Sequence, residues 1–195
     1  MSQVLAATAR TPSQRARRER LLASAQRLLE AREYEQIQVR EVAEDADVAL
    51  GTLYRYFPSK ELLYAHTLVA WGQSFESKVQ TSNRRAGTDA DRLRAALRAT
   101  ARAYERAPNF HRLLTVLEVT NEAAVQEVFA GFGDRFLATL IDTMPGTDPG
   151  DATVIAFAVS SVLSSGLRSW ALGRSTMRSV LERVDATVDL LFSRR

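Results

Sequence analysis

The sequence predicts an all-α protein, and three observations lead to that prediction. Apolar residues recur three and four positions apart in segment after segment between Leu21 and Leu191. The breaks between these segments are short and rich in Pro, Gly and Asn. No stretch alternates apolar and polar residues between turn signals, as a half-buried strand would. We therefore expect about nine helices and no β-sheet.

The first three helices are short and close together. Thr11-Pro12-Ser13-Gln14 has the pattern of a capping box with Pro at the first helical position, and the apolar period continues to about Arg32. A second helix is expected over Val39 to Ala46 and a third over Ala49 to Tyr56. Pro58 cannot extend the third helix, and Ser59 can cap the next one.

The later helices are longer, and polar breaks separate them. We expect a loop from Thr81 to Ala90, where Arg84, Arg85 and Gly87 occur. The expected helices are Lys60–Gln80, Asp91–Ala107, Phe110–Val119, Glu122–Thr143, Asp151–Leu172 and Thr176–Phe192. Residues 1–60 would form an N-terminal arm and three-helix domain, and residues 61–195 a larger helical domain, with a continuous fourth helix joining them.

Composition excludes several classes of protein. The 195 residues are 46% hydrophobic, which is enough for a packed core, and they include no cysteine for disulfides or thiolate metal sites. We find no signal peptide and no run of ~18 uncharged apolar residues, so we expect a cytoplasmic protein without a membrane partner. The net charge is +3, and five arginines lie between Arg10 and Arg20 against one acid, Glu19. Such a run is either a solvated helix start or an arm that reaches DNA phosphates.

Nothing in the sequence indicates an enzyme. His66 and His111 lack a Glu three residues before them, so the di-iron pattern is absent. There is no nucleophile elbow and no glycine-rich phosphate loop. We therefore predict no catalytic residue, no metal ligand and no cofactor.

Residues 38–60 carry the most specific signal, that of a helix-turn-helix. The turn needs a residue that tolerates a left-handed conformation, for which Asp47 is a candidate. The inner face would bury Val42, Leu53 and Phe57, among others. Gly51 costs ~1 kcal/mol in a helix interior but lets a helix approach a base edge closely. The sequence therefore predicts a helix that enters the DNA major groove.

The string Gly51-Thr52-Leu53-Tyr54-Arg55-Tyr56-Phe57-Pro58-Ser59-Lys60, together with Arg40-Glu41-Val42-Ala43, resembles the DNA-binding signature of the TetR family of bacterial repressors. The resemblance covers roughly residues 14–66. It implies that bases are read by Arg40, Leu50, Gly51, Tyr54 and Arg55. It also implies phosphate contacts from Thr52, Tyr54, Tyr56 and Lys60, and we add Arg15 and Arg18 of the basic arm.

The sequence departs from the family pattern at several positions. Gln38 and Ala49 stand where the family has Ser or Thr helix caps, and Glu33 and Asp47 stand where it has Gly. Leu50 replaces a polar residue and cannot donate a hydrogen bond. We expect Leu50 to make an apolar contact, for example with a thymine methyl group, although it could also contact no base.

The resemblance also implies a homodimer that packs the last two helices of each copy into a four-helix bundle. Apolar stripes at helical spacing are ordinary core more often than interface, but here the resemblance favours an interface. The candidate interface residues are Val162, Leu163, Leu167, Trp170, Met177, Val180, Leu181, Val184, Val188 and Leu191. A dimer suits DNA half-sites one helical turn apart.

The middle of the chain is rich in aromatic residues and could line a pocket for a small apolar effector. The candidates are Trp71, Phe75, Leu97, Tyr104, Phe110, Leu114, Leu117, Phe129, Phe132, Phe136, Phe157 and Ser161. The segments Ala46–Lys60 and Ile155–Leu191 resemble actinobacterial repressors of cholesterol catabolism within the family, which implies a steroid-like or fatty acyl-CoA effector. The leading interpretation is a repressor that an apolar molecule releases from palindromic operator DNA. A ligand-independent DNA-binding or architectural protein, and a helical carrier or enzyme with a vestigial DNA head, stay open.

Overall fold

The computed structural model describes residues 11–83 and 87–193, with the backbone alone for residues 74–83. Within these residues every regular element is a helix, which confirms the predicted fold class. The helices are α1 Pro12–Ala31, α2 Val39–Asp45, α3 Leu50–Tyr56, α4 Lys60–Asn83, α5 Asp89–Arg106, α6 Pro108–Glu118, α7 Ala123–Ile141, α8 Pro149–Ala171 and α9 Met177–Ser193. A short 3-10 helix, Tyr34–Gln36, lies between α1 and α2.

The differences from the predicted boundaries have local causes. The predicted end of α4 at Gln80 is wrong, since the helix continues to Asn83. Helix α5 begins two residues earlier than expected because Thr88 caps it, its Oγ1 accepting a hydrogen bond from the Asp91 amide at 3.1 Å. Pro108, predicted as a break, is the first residue of α6, where its missing N–H costs nothing. Arg84 and Arg85 lie outside the described residues.

Contacts between Cα atoms group the chain into two compact units. The first contains residues up to Trp71 together with 112–130, and the second contains 72–111 together with 131–195. Three helices, α4, α6 and α7, therefore belong partly to one unit and partly to the other. The predicted domain boundary at residue 60 does not coincide with this grouping of contacts, and it stays a prediction.

In the first unit, α1 supports the two helices of the predicted DNA-binding segment. The buried Ser24 hydroxyl donates to the Val42 carbonyl oxygen at 3.1 Å and so fixes α1 against α2. Leu53 and Phe57 are fully buried on the inner side of α3. An ion pair between Arg112 of α6 and Glu33 joins α6 to the segment that follows α1.

In the second unit, α9 packs against α8 and α5. Gly166 of α8 lies so close to Val180 of α9 that a β-carbon on it would stand 2.7 Å from Val180 Cγ1. Ion pairs join α5 to α9, including Arg98 with Asp185. The α8 helix is long and apolar enough to cross a membrane by length and composition alone. Core helices of soluble proteins share those two properties, so this observation alone does not indicate a membrane protein.

Candidate nucleic-acid interface

The turn between α2 and α3 has the predicted conformation. Asp47 adopts φ 51°, in the left-handed region, which confirms it as the turn residue. The Val48 amide donates to the Ala43 carbonyl oxygen at 2.9 Å and closes the turn. Ala49 precedes α3 without a side-chain cap. The start of α3 therefore keeps uncapped backbone N–H groups, which are the groups that contact phosphates when a helix end meets DNA.

The outer side of α3 is exposed and chemically mixed. Leu50 is 38% exposed and Tyr54 is 45% exposed, although both are large apolar or aromatic side chains. Arg55 is exposed beside them. A β-carbon placed on Gly51 would meet no atom within 4 Å, so no packing within the protein requires glycine there. The structure thus places the predicted base-reading residues of α3 on one accessible surface.

Arg40 lies on α2 and is held by a neighbour. Its Nε donates to Glu44 Oε1 at 2.8 Å, and its side chain remains 74% exposed. A pair this exposed contributes little to stability, so it can open at small cost when a phosphate or base competes. Nearby, the Gln38 amide and the Arg32 guanidinium hold the pKa of Glu41 below its usual range.

Lys60 has a role in the structure that the sequence did not predict. Its Nζ donates to the Tyr34 carbonyl oxygen at 2.7 Å and lies 4.2 Å from the centre of the Tyr34 ring. The Tyr34 hydroxyl in turn donates to Glu61 at 3.0 Å. Burial lowers the pKa of Lys60. In this conformation the ammonium group secures the 3-10 helix.

The basic arm is only partly described. Arg15 is exposed at the start of α1, whereas the Arg18 guanidinium lies 5.2 Å from the centre of the Phe57 ring. A cation over an aromatic ring is a stabilising contact within the first unit. Thr52 and Tyr56 on α3 are half-buried. Arg10 lies outside the described residues.

The predicted pocket residues are divided between the two units. Trp71, Leu114, Leu117 and Phe129 belong to the first unit, and the others belong to the second. The side chain of Phe75 is outside the described part.

An aromatic cluster lies inside the second unit. Tyr104 and Trp170 contact His111 edge-on, with ring centres at 5.4 and 6.4 Å. Burial lowers the pKa of His111 to about 4, so the imidazole is neutral at physiological pH. Leu97 and Phe110 are also fully buried in this unit.

Two of the predicted pocket residues do not lie in the interior. Phe157 is 65% exposed, and the exposed Ser161 hydroxyl donates to the Phe157 carbonyl oxygen. Both lie on the side of α8 opposite its buried residues, which include Val159 and Leu163. Because both side chains are exposed on this side of α8, the expectation that they line a pocket within one protomer is corrected.

The predicted dimer stripe is also corrected. Six of its residues are buried inside a single chain, since they form the contacts of α8 and α9 with each other and with α5: Leu163, Leu167, Met177, Val180, Val184 and Val188. The other four, Val162, Trp170, Leu181 and Leu191, are only partly exposed. The exposed apolar side chains of these helices are different ones: Val154, Phe157, Leu172 and Leu190.

Arg135 of α7 is not among the residues that the sequence singled out. Its Nε and Nη2 are buried without a hydrogen-bond partner in the part of the chain that the structure describes. An arginine three residues after Phe132 was the available sequence signal, because residues three apart share a helix face.

Together, the helical fold and the exposed α3 define a helix-turn-helix DNA-binding regulator. Residues 21–67 match the model of the bacterial regulatory proteins of the tetR family. The HTH-type transcriptional repressor KstR of Rhodococcus jostii is 33% identical over 92% of this chain and 84% of its own length. KstR of Mycolicibacterium smegmatis is 36% identical over 92% of this chain and 88% of its own. The chain belongs to the TetR family of transcriptional regulators.

Solved structures show the same fold. A TetR transcriptional regulator from Rhodococcus sp. RHA1 superposes with a TM-score of 0.77 at 26% identity, covering 92% of this chain and 97% of that one. The regulator FadR from Bacillus subtilis, in complex with stearoyl-CoA, has a TM-score of 0.68 at 15% identity, covering 90% and 97% of the two chains.

Proposed function

We propose that this protein is a homodimeric repressor that binds palindromic operator DNA through α3 and leaves it when an apolar acyl thioester binds. One observation carries the DNA-binding part: α3 exposes Leu50, Gly51, Tyr54 and Arg55 while Leu53 and Phe57 anchor it from behind. A helix of seven residues with small and polar outer positions fits a major groove ~12 Å wide.

Roles on the DNA follow from exposure. Arg55 and Arg40 are suited to hydrogen bonding with bases, and Leu50 to apolar contact with a thymine methyl group. Thr52, Tyr56 and the uncapped start of α3 are suited to phosphates. Phosphate contacts fix the position of the helix in the groove, whereas the base contacts distinguish one sequence from another.

The exposed apolar face of α8 supports the dimer. Val154 and Phe157 are 66% and 65% exposed, and Leu172 and Leu190 are also open to solvent in the single chain. Exposed apolar side chains gathered on neighbouring helices are typical of an interface. A two-fold contact through this face would present two α3 helices to one palindrome.

Support for the effector comes from chemistry and from relatives. The second unit contains an aromatic cluster formed by the buried Tyr104 and His111 and the half-buried Trp170. A protein of the same fold binds stearoyl-CoA. The resemblance of Ala46–Lys60 and Ile155–Leu191 to repressors of cholesterol catabolism favours a steroid-like acyl thioester over a simple fatty one. Release requires the effector to favour one conformation by several kcal/mol.

Selection of bound sequences from a random DNA pool tests the DNA-binding part. We expect a palindromic sequence with two half-sites, bound by a dimer. Arg55→Ala should weaken binding at least tenfold at fixed salt concentration, in line with ~1–3 kcal/mol for a base contact. Arg106→Ala is the matched control, since Arg106 is an exposed arginine at the end of α5. Equal binding of all DNA sequences by the wild type would contradict the proposal.

Two further experiments test the remaining parts. Phe157→Arg should convert the dimer to a monomer in sedimentation, because it places a charge in the apolar face. Titration with stearoyl-CoA and with the CoA thioester of a sterol side-chain acid should release the wild-type protein from its selected operator. A dimer that survives Phe157→Arg, or an operator complex unaffected by either thioester, would refute the corresponding part.

A further inference from the structure

Arg135 is half-buried, and its guanidinium has no counter-charge among the described residues. Its Nε and Nη2 are inaccessible to solvent and have no hydrogen-bond partner. No ion pair to its guanidinium occurs in the part of the chain that the structure describes. Burying a charge without a partner is among the costliest arrangements in a protein. Such a group normally has a partner in the working state of the molecule.

The two nitrogens have a specific geometry. Nε and Nη2 share the edge of the guanidinium that presents two parallel N–H groups. That edge binds both oxygens of a carboxylate or phosphate at once.

Arg135 shares one side of α7 with an aromatic residue. Phe132 lies three residues before it and is half-buried, and Phe136, four residues after Phe132, is half-buried on the side of Phe132. Phe132 packs directly on α4, because a β-carbon on Gly72 would stand 2.6 Å from its Cε2 atom. A fork of N–H donors on the side of the helix that carries an aromatic ring suits a ligand with an apolar body and one oxyanion.

The geometry points to Arg135 as the anchor of the effector, which would be an acidic amphiphile held by a carboxylate or phosphate on the Nε–Nη2 edge. This inference rests on the proposed function, since it assigns the polar contact of the same effector. The contact of Phe132 with Gly72 would let that ligand affect the first unit through α4. A ligand that moves Phe132 changes the packing of α4, and α4 continues without a break into residues 60–71 of the first unit.

Arg135→Met tests the inference through stability as well as binding. Methionine keeps most of the length of the side chain and removes the unpaired charge. We therefore expect the ligand-free variant to melt about 3 °C or more above the wild type. A structural guanidinium with satisfied donors would give a lower melting temperature instead. Arg102→Met is the matched control, because Arg102 is an exposed helical arginine on α5 and its loss should leave the melting temperature nearly unchanged.

The probes separate the possible sources of the oxyanion. Stearoyl-CoA, stearic acid and stearyl alcohol share an apolar chain and carry phosphates, a carboxylate and no charge, respectively. The corresponding sterol acid, its CoA thioester and the neutral sterol form a second series. We expect the acidic probes to raise the wild-type melting temperature and to weaken operator binding at least tenfold, and the neutral ones to do neither.

In Arg135→Met the effect of the acidic probes on operator affinity should fall at least tenfold. In Arg102→Met that effect should be the same as in the wild type. A lower melting temperature for ligand-free Arg135→Met, an equal response to neutral probes, or an unchanged response in Arg135→Met would each overturn the inference. A wild type that binds its operator and ignores every acidic probe would also overturn it. Failure of the wild type to select any DNA sequence would instead refute the proposed function, so the two failures are distinguishable.

Discussion

Gly51→Ala should make the protein more stable and a weaker DNA binder. In the free protein a β-carbon at residue 51 meets nothing within 4 Å, and Gly51 does not occupy the left-handed region. Alanine should therefore stabilise the folded state by roughly 0.5–1 kcal/mol, since glycine is the poorer helix former. For a chain of 195 residues that gain corresponds to a melting temperature about 1–4 °C higher.

The expected effect on DNA binding has the opposite sign. If Gly51 approaches the floor of the groove, the added methyl group displaces α3 and weakens the neighbouring base contacts by about 1 kcal/mol or more. The proposed dimer presents this helix twice, so the loss is about 2 kcal/mol, or roughly thirtyfold in the dissociation constant.

Fluorescence anisotropy with the selected operator at fixed salt measures the dissociation constant, and calorimetry measures the melting temperature. Gly133→Ala is the matched control, since Gly133 is also helical and also has nothing within 4 Å. It should raise stability and leave operator binding unchanged. Operator affinity of Gly51→Ala within twofold of the wild type would show that residue 51 does not approach the DNA.

Three further predictions concern other parts of the chain. Lys60→Met should lower stability by roughly 1–2 kcal/mol through lost contacts with the 3-10 helix. The slope of log operator affinity against log salt concentration should stay the same. A contact of Lys60 with phosphate would instead make Lys60→Met reduce that slope by about one per half-site. Gly166→Ala should destabilise the protein to urea by roughly 1 kcal/mol, because its methyl group would press on Val180; a more stable variant would refute the close packing. Burial lowers the pKa of His111 to about 4 in the folded state, from 6.5 for an ordinary histidine, so it contributes stability that is fully present above pH 6.5 and lost as the pH falls toward 4. The loss is up to roughly 3 kcal/mol, and His111→Gln should show a smaller acid sensitivity in urea unfolding at each pH.

The sequence predicted the local features because local chemistry determines them. Thr11 and Gln14 form the expected capping box, and Asp47 takes the left-handed turn position, since both depend on a few neighbouring residues. The extension of α4 to Asn83 was missed because polar residues do not by themselves end a helix.

The sequence predicted which helix faces are apolar, but not which helix packs against each of them. The stripe of Val180, Val184 and Val188 is apolar at helical spacing, as an interface or a core would be. Periodicity shows that a face is buried but not which helix covers it, so the same stripe fits a partner chain or α8 of its own chain. Lys60 illustrates the same difficulty, because its contact with Tyr34 joins residues 26 positions apart.

Three residues are in unfavourable environments in the single chain, and each would need a different kind of partner to offset its cost. Gly51 weakens a helix without a packing reason, Phe157 exposes an aromatic ring, and Arg135 buries donors without acceptors. Each is unfavourable in the isolated protomer, and natural sequences tolerate such costs mainly at functional sites. The missing partners are of three kinds: a groove that needs close approach, an apolar surface, and an oxyanion. In the proposed function, DNA, a second copy and an acidic effector would supply one each. Because the costs differ in chemistry, the three can be removed by separate substitutions and measured independently.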